Sequence, residues 1–257
     1  MKPSANYVLL EAKQHGSYLY PDIYVCLDRL ACTPALRRSG LLFDLLGEEE
    51  EIELGNFASD LNGKGFIGNI DYGLAMNLVQ SLPGHSFPLN LRLAIDYSKI
   101  IRSGAKGKNV FDAAGNRISR QRLSDAWKDL THNTPLQEPR TEWINGVYEK
   151  DAPGKMHVHY LLPKFNGDLV NIIEPLEACL MTDRMIDFND WINNATSQGL
   201  PQRNVRGGTS FYIFPHHQSV ARFGAYTTKG LAHVGLNCIS HQTGYALGVR
   251  VAKIKVE

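Results

Sequence analysis

The 257-residue sequence contains no run of 18 apolar residues, which excludes a membrane-spanning helix from the reading. Cysteine is scarce and scattered. Cys26, Cys32, Cys179 and Cys238 form no Cys-x-x-Cys pair, so a zinc site has no local support. Buried, reduced thiols in a cytoplasmic protein are the expectation. The opening stretch MKPSANYVLLEAKQHGS holds only a short apolar run, Tyr7 to Leu10, too short for the core of a secretion signal. An excess of charge is also lacking: 27 Lys and Arg stand against 26 Asp and Glu, for a formal charge of +1. At face value that disfavours a nucleic-acid partner. What is present is ample apolar material, 43% of residues, with 21% charged. That suits one good-sized core or two small ones and excludes a disordered or collagen-like chain.

The near-zero charge hides an uneven distribution. Between Lys99 and Lys128 the bases are Lys99, Arg102, Lys106, Lys108, Arg117, Arg120, Arg122 and Lys128, against Asp112 and Asp125 alone. This segment carries +6, so the rest of the chain carries −5. Part of the deficit is the acidic run Glu48, Glu49, Glu50, Glu51 and Glu53, a solvated turn or helix end that would repel phosphate. A near-neutral total is therefore compatible with one local basic surface for RNA.

Periodicity gives the coarse elements. Residues 6–13 read as a strand. Ile23, Leu27 and Leu30 fall at helical spacing, which predicts a helix over 20–32 that continues in style through 34–46. Residues 72–82 predict a short helix stopped by Pro83-Gly84. Leu89, Leu91, Leu93 and Ile95 alternate, which predicts a half-buried strand over 88–97. Residues 119–130 predict a helix with Ser119 as N-cap and an apolar face of Leu123, Trp127 and Leu130. Pro135, Pro139, Pro153 and Gly154 mark 131–155 as a linker. Residues 156–163 follow as a strand, 167–181 as a helix kinked at Pro175, and 187–197 as another helical turn or two. Strands are expected at 209–215, 221–228 and 246–256, the last with one bulge between Val251 and Ile254. The fold class is α+β. Two similar units, 1–98 and 155–257, flank a basic, partly helical insertion and linker, 99–154, and suggest a repeated ferredoxin-like unit.

The C-terminal 55 residues carry the densest signal. Glycines stand at 207, 208, 224, 230, 235, 244 and 248, and the loop between Gly235 and Gly248 adds Asn237, Ser240, His241, Gln242 and Thr243. Such loops bring backbone close to phosphate and offer hydrogen bonds to it. The run RGGTSFYIFPHH, then GAYTTKGL, a glycine-rich turn and a closing strand resembles the C-terminal half of the CRISPR repeat-cleaving endoribonucleases of the RAMP superfamily.

That resemblance implies two ferredoxin-like halves, and metal-independent, cofactor-free cleavage of a repeat hairpin to mature crRNA. The product can stay bound, with other subunits of a CRISPR effector complex as partners. It implies a catalytic set drawn from His15, Arg29 and Arg38, with Arg37, Thr209 and Ser210 near the phosphate; the pair His216-His217 after a strand reads as an RNA contact, a loop cap or a catalytic group, and adds His217 as a catalytic candidate. RNA binding would fall to the eight bases of 99–128 and to Ser240, His241 and Gln242.

Two alternatives stand beside it. One is a non-catalytic RNA-binding subunit of a CRISPR ribonucleoprotein. The other is an HUH-type rolling-circle replication endonuclease. There, His157 and His159, at i and i+2 on one strand face, would hold a metal and Tyr226 would attack DNA.

Overall fold

The computed structural model describes residues 6–31, 58–59, 65–68, 70–131, 141–152, 154–215, 218–224, 226–228, 231–235, 240 and 247–255. In chain order the strands begin with β1 (Tyr7–Leu10), β2 (Lys13–His15), β3 (Tyr18–Tyr20), β4 (Ile23–Arg29), β5 (Ala58–Ser59) and β6 (Gly65–Phe66). Helix α1 (Tyr72–Gln80), β7 (Ser86–Pro88), α2 (Leu91–Ala105) and α3 (Arg120–Thr131) follow. Then come β8 (Thr141–Lys150), β9 (Met156–Pro163), β10 (Leu169–Pro175), β11 (Arg184–Ile186) and α4 (Phe188–Asn193). The chain closes with β12 (Ser210–Ile213), β13 (Ser219–Phe223), β14 (Tyr226–Thr228), β15 (Leu231–Gly235) and β16 (Leu247–Ile254).

The α+β class holds, with a core that is mostly sheet. The main sheet runs β1-β4-β16-β8-β9-β10, with β7 also on β16 and β13 also on β8. A smaller sheet runs β11-β12-β15-β14. The closing strand β16 sits inside the main sheet, antiparallel to β4 and parallel to β8. One sheet thus joins strands from residues 1–98, 99–154 and 155–257. Two apolar clusters cover its faces. Ile23, Val25 and Leu27 of β4 pack into the larger one with Leu93, Tyr97 and Ile101 of α2 and Leu123 of α3. Trp143, Val249 and Val251 pack with Ala75, Leu78 and Val79 of α1 in the smaller. Among the described residues no helix is long and apolar enough to cross a membrane.

Four expected elements change type. Residues 23–29 form a strand, because Val25 completes the alternation of Ile23, Leu27 and Arg29 on the buried face. Residues 91–105 form a helix, because the Asn90 carboxamide accepts from Leu93 N at 3.0 Å and caps it. Leu91, Arg92, Leu93, Ala94 and Ile95 are all buried, so apolar alternation there carries no face information. The expected linker contains β8, whose two faces are both buried over most of its length. Residues 169–175 form a strand, in which Val170, Ile172 and Ile173 favour an extended backbone and Pro175 ends it.

Other expectations hold. Helices α1, α3 and α4 lie where periodicity put them, and Ser119 Oγ accepts from Arg122 N at 3.2 Å. The slip in the last strand is a register shift against β4 between Arg250 and Ala252, slightly earlier than expected. The shift changes no face: Val249 and Val251 point to the α1 side and Ala252 and Ile254 to the other, as unbroken alternation requires.

A candidate nucleic-acid groove

Asp96, Lys99, Ile100 and Ser103 share one face of α2 because they recur at helical spacing. That face forms one wall of a groove of about 420 Å³. Leu9 and Leu10 of β1, followed by Glu11 and Lys13, form the opposite wall. The loop after α2 closes one end with Lys108, Asn109, Val110 and Phe111. Three lysines, Lys13, Lys99 and Lys108, thus reach one cleft from three separate stretches of chain. The Phe111 ring is 51% exposed. Its loop is held to the sheet edge by Ala113 N donating to Tyr7 O at 2.9 Å, and Asp112 accepts from Ala114 N and Asn116 N.

Asp96 organises the floor. One carboxylate oxygen lies 2.6 Å from His15 Nε2. The other accepts from an Arg92 Nη at 2.8 Å and lies 3.5 Å from Lys13 Nζ and 4.0 Å from Lys99 Nζ. Burial works to raise the Asp96 pKa. The His15 hydrogen bond and the charges of Arg92, His15 and Lys13 outweigh it and hold the carboxyl well below the ordinary range. Lys99 is pushed below the usual ammonium value, first by burial and then by Arg92 and Lys13, against the pull of Asp96. Arg92 in turn donates to Thr196 O at 2.5 Å. His15 is itself 8% exposed, edge-on to Tyr20 with ring centres 5.5 Å apart, behind Asp96 rather than on the groove wall.

The remaining expected residues disperse. Arg102 donates to Asn193 Oδ1 at 3.3 Å. Lys106, Arg117 and Lys128 are exposed, and Arg120 Nε donates to Ala105 O at 3.1 Å. Arg122 pairs with Asp28 and donates to Asn6 Oδ1 at 3.2 Å, which ties α3 to the first strands. Arg29 is 4% exposed, paired with Asp129 and 3.3 Å from Glu142, with its guanidinium 5.1 Å from the Phe66 ring centre. Arg250 donates to the same Glu142 through Nε at 3.0 Å and lies 4.8 Å from the Tyr97 ring centre. Ser240 is exposed, and its carbonyl accepts from Tyr72 N at 3.0 Å. Ser210 is buried on β12, while Thr209 is exposed. Arg37, Arg38, His216, His217, His241 and Gln242 lie outside the described residues.

His157 and His159 do share a face of β9. His159 Nε2 lies 2.6 Å from Glu149 Oε1, and His157 Nδ1 lies 3.8 Å from Asp151 Oδ2. Among the described residues no group of three or more His, Cys, Asp and Glu side chains could hold a metal ion. Tyr226 belongs to the smaller sheet, paired with His233, and the histidines to the main one.

Sequence reasoning missed Glu11, Lys13, Asp96 and Phe111. The available signal for Asp96 was a lone carboxylate in the apolar stretch PLNLRLAIDY. No family model, no curated protein and no solved structure matches this chain.

Proposed function

We propose that this protein binds RNA in the groove between β1, β2 and α2, as a CRISPR repeat-binding protein of the RAMP type. The observation that carries this reading is the convergence of Lys13, Lys99 and Lys108 on one cleft with an exposed aromatic, Phe111, on its wall. Ammonium groups meet phosphates there, and the ring offers a stacking face to an unpaired base. Glu11 supplies an acceptor for ribose hydroxyls and base amino groups, while Asp96, held by His15 and Arg92, positions the lysines. The proposal includes the two ferredoxin-like halves that the C-terminal resemblance implies, and its support is the resemblance together with the glycine-bearing closing strand. Partner subunits of an effector complex belong to the same proposal.

Among the candidate catalytic residues, His15 sits behind Asp96 and Arg29 is engaged in a buried ion pair. The geometry therefore favours RNA binding over a cleavage centre at these two. In this proposal cleavage falls to the remaining candidates, Arg38 and His217. The step would be attack of a ribose 2′-hydroxyl on its own 3′-phosphate, leaving a 2′,3′-cyclic phosphate and a 5′-hydroxyl.

Binding of a repeat hairpin RNA, measured by fluorescence anisotropy across a salt series, tests the reading. The wild type is expected to bind with a log–log salt slope that flattens by about one for each lysine removed in Lys13→Ala, Lys99→Ala and Lys108→Ala. Phe111→Ala should weaken binding by about 1–3 kcal/mol. No binding at 50 mM salt, or an unchanged slope in the triple variant, would overturn it. Cyclic-phosphate product in EDTA, lost in Arg38→Ala or His217→Ala, would add the nuclease activity.

A further inference from the structure

The two edges of the main sheet are treated differently. The β1 edge is covered by the chain itself, through the bridge between Val8 and Asp112 and the bond from Ala113 N to Tyr7 O. At the other edge β10 has β9 as its one strand neighbour among the described residues. It is not polar as protected edges are. Ile173 is 60% exposed and Val170 40%.

Register settles which backbone groups point away from β9. Lys164 N donates to Asp168 O, and Leu176 N donates to Met156 O, at 2.9 Å each. Between these points β9 and β10 pair without a bulge. The hydrogen-bonded positions alternate along an antiparallel ladder, so the even residues of β10 bond inward to β9. The N–H and C=O groups of Leu169, Asn171 and Ile173 therefore point outward. Pro175 has no N–H, and its carbonyl already accepts from Gln198 Nε2 at 2.9 Å.

We propose that β10 is a homodimerisation edge, two copies pairing antiparallel about a two-fold axis at Asn171 and extending the main sheet across both subunits. This register uses every open donor. Asn171 pairs with the partner's Asn171, and Leu169 with the partner's Ile173, each pair exchanging two backbone bonds. A centre at Ile173 would set Asn171 against a proline, and a centre at Leu169 would run into the turn at 164–168. The side chains are self-complementary in the chosen register. Ile173 meets the partner's Leu169 on the outer face, and Val170 meets the partner's Ile172 on the core face. The Asn171 amide meets its own copy. Asp168 and the partner's Glu174 oppose each other at the ladder's ends, where solvent screens them. Closed two-fold symmetry consumes the β10 edge of both copies.

Sedimentation velocity on the full chain, run from low micromolar to millimolar concentration, reads the outcome. The wild type is expected to shift from the mass of one chain to that of two and no further. Asn171→Pro removes a donor that only the dimer uses, so its circular dichroism, and its melting at concentrations where the wild type is monomeric, should match the wild type. Its dimerisation should weaken about tenfold or more. Asn171→Asp sets two carboxylates face to face across the axis and should dimerise at pH 3.5 but not at pH 7. A wild type that stays monomeric throughout would overturn the proposal. So would folded Asn171→Pro and Asn171→Asp proteins that dimerise like the wild type at pH 7. The readout is independent of RNA.

Discussion

Asp96 shows how one residue can carry both structure and site. It is an acid in an apolar stretch, and the fold surrounds it with His15, Arg92, Lys13 and Lys99. Its depressed folded-state pKa fixes the sign of a pH effect. The unfolded chain protonates Asp96 near pH 4, the folded protein only well below that. The stabilisation is therefore complete above about pH 4 and is lost as pH falls through the folded value. Asp96→Asn should cost about 2–4 kcal/mol at pH 7, measured by urea unfolding, and should flatten the loss of stability between pH 5 and pH 2. An equally steep acid limb in the variant would show that other carboxylates dominate it. Arg29 makes a related point. As a number in a sequence it is a cation near a helix-like stretch. In the fold it is an internal partner of Asp129 and Glu142. Sequence gives the charge of such residues but not what neutralises it, because the partners come from about a hundred residues away.

At the scale of elements, the groove depends on how α2 is seated. Its first residues rest on the turn Thr196–Gly199, in which Gly199 N donates to Thr196 O at 3.0 Å. Gly199 has φ +88°, and a Cβ there would meet the Arg92 N and Leu91 C backbone atoms at 2.9 Å. Backbone cannot yield as a side-chain tip can. Gly199→Ala should therefore destabilise the protein by about 1–3 kcal/mol and displace Arg92 and Asp96. Thermal denaturation measures the first effect, and weakened RNA binding the second. An unchanged melting temperature would refute this seating. Two of the element types that sequence pattern misread, 88–97 and 167–181, share a cause. Alternation and helical spacing report the number of buried faces as well as the backbone period. A helix buried all round, like the start of α2, or an edge strand exposed on both faces, like β10, blurs the signal. The amphipathic helices α1 and α3, with one buried face, were legible.

At the scale of the whole molecule, β16 decides cohesion. It lies between β4 and β8 and also pairs β7. Arg250 on it donates to Glu142 of β8 and, at 2.8 Å, to Cys26 O of β4. A central strand that joins three sequence regions predicts one cooperative unfolding transition. Calorimetry of the intact chain should give coincident calorimetric and van't Hoff enthalpies. Truncation before Leu247 should abolish the cooperative transition. Two separable transitions would instead mark two independent halves. The sequence by itself determined the α+β class, the amphipathic helices, the position of the closing strand and the concentration of bases in 99–128. These follow from local spacing and composition, which neighbours in the chain set. Only the tertiary structure decided which of those bases are spent internally, as Arg122 is on Asp28, and which face a cleft, as Lys99 and Lys108 do. That distinction rests on contacts between distant stretches of chain, whose geometry no local pattern encodes. The near-neutral total charge thus divides among a groove that three lysines reach, exposed bases such as Lys106, Arg117 and Lys128, and a set of buried pairs.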